Sequence, residues 1–110
     1  LNIVSDQIGS PKYTYDLSKL IVDMVETNKY GVYHATNEGV CSWFEFAQKI
    51  FEYSNIDIKL NPISTEQFPT KAKRPVNSVL SKKSLIDNDF ELLPSWQDAL
   101  KRYLKEIEVI

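Results

Sequence analysis

GVYHATNEGVCSWFEFA, residues 31–47, changes its hydrophobic period partway along. VYHAT (32–36) is a short run rich in β-formers and predicts a buried strand, with Asn37, Glu38 and Gly39 as the loop after it. Ser42-Trp43-Phe44-Glu45 then has the form of a capping box. In such a box the Ser42 hydroxyl accepts from the Glu45 amide, and the Glu45 carboxylate accepts from the Ser42 N–H. Beyond it Trp43, Ala47, Ile50 and Phe51 recur at helical spacing and predict the inner stripe of a helix. Strand, loop and capped helix in so short a span are the unit of an α/β layer.

The flanks extend that alternation. Upstream, Leu1 to Ser5 predicts a strand and QIGSP (7–11) a turn. A helix follows, capped by Thr14, with Leu17, Leu20, Ile21, Met24 and Val25 on one face and its end at Gly31. Downstream, Ile56, Ile58 and Leu60 alternate with polar residues, predicting a half-buried strand over 56–63. Ser81 is placed to cap a short helix through Leu85 and Ile86. Pro94-Ser95 opens a last helix buried through Trp96, Ala99, Leu100, Tyr103, Leu104 and Ile107. The expected fold is a small mixed α/β domain covering residues 1–110.

Composition narrows the class further. The chain is 110 residues long, with 43% apolar and 25% charged residues, the balance of a folded domain rather than a disordered one. A formal net charge of −2 opposes general binding of nucleic acid or of a membrane surface, both of which need a wide positive field. Cys41 is the single cysteine, so no intrachain disulfide forms and no cysteine-built metal site exists. No signal peptide or long apolar run is present, which makes the cytoplasm the default compartment. LNIVS opens the chain as a strand already under way, and a strand needs a neighbour, so a piece of a longer protein is expected.

Candidate chemistry is sparse. His34 has no Ser, Cys or carboxylate at a recognisable spacing, and reads as structural rather than as a general base. Asp6, Asp16 and Asp23 form no metal signature, and Asp16 and Asp23, seven apart on a helix, read as a solvated face. Cys41 reads as a hydrophobic staple onto Phe46 in preference to a reactive thiol. Neither a G-x-G-x-x-G turn nor a P-loop occurs, so a nucleotide's phosphates lack their usual glycine cradle. FPTKAKRPVNSVLS (68–81) stands apart. It packs Lys71, Lys73 and Arg74 between Pro69 and Pro75, and Asn77 and Ser78 follow. The prolines stiffen the loop and pre-organise the Arg74 guanidinium for a phosphate or diphosphate. An ordinary charged surface loop has the same composition, and the residues alone leave both readings open.

Three stretches together resemble the dTDP-4-dehydrorhamnose reductases, a family of extended short-chain dehydrogenase/reductases. SDQIGSPKYTYDLSKLI (5–21) is similar to their D-Q-x-G-x-P-T…D-L-A segment. GVYHATNEGVCSWFEFA resembles G-x-Y-H-x-x-x-x-G…S/T-W-x-E-F/Y-A, and FPTKAKRPVNSVLS resembles Y-P-T-x-A-x-R-P-x-N-S-x-L. LPSWQDALKRYL (93–104) looks like their closing helix. Order and spacing match, and the likeness covers nearly the whole chain. Three departures bear on the site: Lys12 stands where the family has Thr, Phe68 where it has Tyr, and Val79 where it often has Arg.

The resemblance implies the substrate-binding domain of an enzyme that reduces dTDP-4-dehydro-L-rhamnose to dTDP-L-rhamnose with NADPH or NADH. Its partners would be the dTDP-sugar and its own amino-terminal Rossmann domain, which carries the cofactor turn and the Ser/Thr–Tyr-x-x-x-Lys set; a homodimer is left open. Tyr15 and Lys19 match that Tyr-x-x-x-Lys spacing, but the family places this segment downstream of the catalytic helix. The fragment itself is expected to be inactive and to bind no cofactor. Carried over by motif, Arg74 meets the substrate diphosphate, with Thr70, Lys71, Asn77 and Ser78 as loop neighbours and Gln7 and Pro11 on the hinge side. Two other readings stand beside this one: a non-catalytic regulatory subunit of the methionine adenosyltransferase type, and a nucleotide-sugar epimerase or dehydratase. Without the Rossmann domain an apolar face should be uncovered and favour self-association.

Overall fold

The computed structural model describes residues 1–68 and 70–110. In chain order it contains β1 (Asn2–Val4), β2 (Ile8–Gly9), α1 (Thr14–Val25), β3 (Asn37–Glu38) and β4 (Cys41–Ser42). These are followed by α2 (Trp43–Tyr53), β5 (Asn61–Ile63), a 3₁₀ turn (Thr65–Gln67), α3 (Lys83–Asp87), β6 (Leu93–Ser95) and α4 (Trp96–Glu106). The expected mixed α/β class is observed. The strands form three short pairs: β1 with β5 and β3 with β6 are parallel, and β2 with β4 is antiparallel.

Two apolar clusters hold the layers together. Cys41, Trp96, Leu100 and Leu104 form one, with Phe46, Ile50 and Tyr53 of α2 packed onto it. Leu20, Leu85 and Leu93 form the other, joined by Met24, Tyr33, Ala35 and Phe90. The capping box is present in both directions, at 3.1 Å each way between Ser42 and Glu45. Cys41 lies just before the cap and is buried beside Phe46, as a staple requires. Burial pushes its thiol up to about 11, the opposite of activation. Ser95 caps α4, accepting from the Asp98 amide at 3.2 Å.

Several expectations are corrected. QIGSP contains the strand β2, and Asn37–Glu38, expected as loop, is β3. VYHAT forms no ladder: Val32 is 81% exposed and His34 is exposed, while Tyr33 and Ala35 pack inward. Tyr13, with no side-chain capping bond, takes the N-cap of α1 in place of Thr14, and that helix stops at Val25 rather than near Gly31. Its face is rotated, with Leu20 buried while Ile21 and Val25 stand outward. In α2 the inner stripe runs through Phe46, Ile50 and Tyr53, and Trp43 is exposed. Only Asn61–Ile63 of the expected 56–63 strand pairs, with Ile56 and Ile58 open to solvent. α3 has Lys82 at its N-cap, and Ser81 reaches only the Lys83 amide, at 3.4 Å. Ile86, Tyr103 and Ile107 are exposed rather than core.

Asp16 is the largest surprise. It is 5% exposed, not solvated. Its two oxygens accept from Nη1 and Nη2 of Arg102 at 2.8 and 2.6 Å, a bidentate pair across 86 residues of chain. Asn37, fully buried, donates to Asp16 at 2.8 Å and to the Pro94 carbonyl at 3.0 Å, and accepts from the Tyr13 amide at 2.7 Å. Its own amide donates to the Pro11 carbonyl at 3.2 Å. Asn37 thus ties residues 11–13 to the start of α4. The guanidinium and, to a lesser extent, Asn37 hold the Asp16 carboxyl below the usual carboxylate range against the opposing effect of burial.

Candidate functional site

The site is built around β2. On one side it pairs with β4 through Ile8–Ser42 and Gly9–Cys41. On the other it meets the basic loop in parallel. The Ile8 amide donates to the Val76 carbonyl at 2.7 Å, and the Ser78 amide donates to the Ile8 carbonyl at 2.9 Å. Ser78 Oγ also donates to that carbonyl, at 3.3 Å. A Cβ at residue 9 would lie 2.8 Å from Ser78 Oγ, so any larger residue there would make that hydroxyl move. The second half of the basic stretch is therefore docked on β2 through a parallel bridge at Asn77.

Between these three extended segments lies a cleft of about 540 Å³, lined by residues 7–12, Cys41, Ser42, Trp43, Phe46, Arg74, Pro75 and Ser78. Its walls are mainly apolar. Lys12 and Arg74 give it two cations, and no carboxylate lines it among the described residues. An anion entering it meets the positive charge of Lys12 and Arg74, while an apolar group meets Trp43 and Phe46; the hydroxyls of Ser10 and Ser78 donate to the Gly39 and Ile8 carbonyls. The N-terminus of α2 opens at the same place, which adds its partial positive charge.

Of the residues singled out in the sequence, Gln7, Pro11, Arg74 and Ser78 are brought together in this cleft. Gln7 is anchored from behind, its Nε2 donating to Thr65 Oγ1 at 3.2 Å. Thr65 in turn donates to Asp6 from both its amide and its hydroxyl, which holds the Asp6 carboxyl low. Thr70, Lys71 and Asn77 do not line it. Thr70 donates to the Ala72 carbonyl at 2.5 Å, and Asn77 accepts from the Val79 amide at 2.9 Å, both local turn contacts. Lys71 is exposed. The stiffening assigned to Pro69 lies outside the described residues.

Lys12, Ser10, Trp43 and Phe46 were missed as site residues. Trp43 had a signal, since an exposed aromatic at N1 of a helix has no core task, but the helical period assigned it inward. Lys12 was marked only as a departure from a pattern.

The three glycines, Gly9, Gly31 and Gly39, are too far apart for a G-x-G-x-x-G turn. No step of hydride transfer is assigned to residues of this chain.

Fold and cleft together define a small α/β binding lobe whose polar contacts suit an anionic ligand with an apolar or aromatic part. The chain belongs to the family described as RmlD substrate binding domain, whose family model matches residues 1–109. It is similar to dTDP-4-dehydrorhamnose reductase of Aggregatibacter actinomycetemcomitans, at 40% identity over 115 residues, covering 92% of this chain and 38% of that protein. Spore coat polysaccharide biosynthesis protein SpsK of Bacillus subtilis (strain 168) is 40% identical over 107 residues, covering 96% and 37%. Among solved structures, dTDP-4-dehydrorhamnose reductase from Bacillus anthracis, in complex with NADP, matches with a TM-score of 0.93 at 45% identity, covering 96% and 38%. The reductase from Clostridium acetobutylicum matches with a TM-score of 0.95 at 38% identity, covering 98% and 39%. The chain thus spans 37–39% of the length of these relatives.

Proposed function

We propose that this chain is the nucleotide-sugar-holding part of a dTDP-4-dehydrorhamnose reductase, and that the cleft around β2 receives the dTDP-sugar. In this reading Arg74 donates to the diphosphate, Ser78 supplements it, and Gln7 and Pro11 shape the side nearest α1. Lys12 supplies a second cation to the same anion. The observation that carries the proposal is the convergence of Arg74, Ser78, Gln7 and Pro11 in one cation-lined cleft of an RmlD substrate binding domain.

The reduced nicotinamide, NADPH or NADH, and the proton-transfer residues would come from an amino-terminal Rossmann domain of the same protein, working in the cytoplasm. This chain's share is to bind and orient the sugar's 4-keto group towards that domain and to cover it from water. The relatives described above are reductases and a polysaccharide-biosynthesis protein. They give no support to a methionine adenosyltransferase subunit or to an epimerase or dehydratase.

The test is NADPH oxidation by the full-length protein with dTDP-4-dehydro-L-rhamnose, with and without Arg74→Ala. Turnover of this substrate, with dTDP as a competitive inhibitor, is expected. A full-length protein that binds neither dTDP nor the keto-sugar would sink the reading.

A further inference from the structure

Trp43 is an anomaly in this molecule. The chain has two tryptophans; Trp96 is buried in the core, whereas Trp43 is 60% exposed at the first turn of α2 and lines the cleft. Phe46 performs the packing for which the helical period had cast Trp43. An indole left in water at the mouth of a cleft has no stabilising task, and such groups are used in recognition.

Its position follows from strand directions. Because β4 runs antiparallel to β2, the residue after Ser42 lies towards Gln7, beyond the Ile8–Ser42 pair. Because the basic loop runs parallel to β2, the residues before Val76 lie towards the same end. Trp43 and Arg74–Pro75 therefore flank β2 from its two sides, at one end. Neighbouring strands stand about 4.8 Å apart, so Ser42 and Asn77, which meet Ile8 from its two sides, are separated by about 10 Å, and Trp43 and Arg74 continue from them. That separation is of the order of the distance from a pyrimidine ring, through its deoxyribose, to a diphosphate.

We propose that Trp43 is the platform on which the nucleobase of the ligand stacks, while Arg74 across β2 holds the diphosphate. This rests on the nucleotide-sugar reading above and adds where the base goes. Stacking uses the π-face that every base has, so Trp43 contributes affinity without selecting one base, and the span between ring and guanidinium sets the diphosphate's place.

The experiment titrates two probes, dTDP and inorganic pyrophosphate, against the full-length protein and its Trp43→Leu, Trp43→Phe and Arg74→Ala variants by calorimetry. Trp43→Leu should weaken dTDP about 10- to 100-fold, and Trp43→Phe by less than about fivefold. Pyrophosphate, which has no base, should bind Trp43→Leu as it binds the wild type, and this also certifies a folded cleft. Arg74→Ala should weaken both probes. If Trp43→Leu binds dTDP as the wild type does while Arg74→Ala does not, stacking is wrong and the functional reading stands. If Trp43→Leu loses both probes equally, Trp43 shapes the cleft rather than meeting the base, and the proposal fails. If the wild type binds no dTDP, both readings fall together.

Discussion

Arg74 and Asp16 illustrate what one charged residue can do in two settings. Arg74 is exposed on a docked loop and lines a cleft with a second cation. A charge-assisted hydrogen bond to a diphosphate would contribute about 1.5–3 kcal/mol, so Arg74→Ala should raise KM for the dTDP-sugar by about 10- to 150-fold. An unchanged KM and kcat in the full-length protein would return it to the surface. Asp16 is buried and answers to Arg102 and Asn37. Asp16→Ala should destabilise the fold by about 2 kcal/mol in denaturant melts. That is below the figure for a fully buried pair, because Arg102 is a third exposed and keeps Asp98 at 2.9 Å. The pH dependence has a fixed sign. The folded-state pKa of Asp16 is lowered, so its contribution is present above the unfolded value of about 3.9 and is lost as pH falls through the folded one. Acidification from neutrality to below pH 3 should therefore narrow the stability gap between wild type and Asp16→Ala. A gap constant across that range would refute the assignment.

At the scale of elements, the readable features were those whose partners lie close in sequence. Ser42 and Glu45 are three residues apart, and their reciprocal bonds form as read. Ser42→Ala should cost about 1 kcal/mol, seen as a lowered melting midpoint, since the cap lies under the β2–β4 pair. Asp16 could not be read the same way. Its partner is 86 residues on, and its place four residues before Leu20 only later explains its inward direction. VYHAT has strand composition, but composition supplies no neighbour, and exposed Val32 and His34 pair with nothing among the described residues. Half of the site was legible for a similar reason. A proline- and cation-rich loop marks itself, whereas the docking of its second half on β2 is a tertiary fact. Ile8 carries the backbone bonds of that docking, and Gly9 leaves room for the Ser78 hydroxyl beside it. Gly9→Ala should displace the Ser78 hydroxyl and weaken dTDP binding severalfold, and Ser78→Ala in the same chain should recover part of the loss. Additive losses in the double variant would show that the close approach is not what holds the loop.

For the molecule as a whole, the balance between core and surface leads to the last prediction. Its two clusters contain seven buried apolar residues among those described, while many large apolar side chains stand open. Ile21, Val22 and Val25 project from the outward side of α1, and Tyr30 and Val32, both above 80% exposed, follow directly after it. Scattered apolar residues need no explanation, but a run along one helix face and its continuation does. The chain spans under two-fifths of the length of its relatives, and we expect these side chains to meet other parts of a longer protein. The isolated 110-residue chain should then cover them by self-association. Light scattering coupled to size exclusion should show a mass that rises with concentration. Charged replacements on this run, Val25→Lys with Val32→Lys, should restore a monomer without lowering the melting midpoint, because neither side chain contributes to a core cluster. A wild-type chain that stays monomeric across the concentration series would mean that this face has no apolar partner to replace.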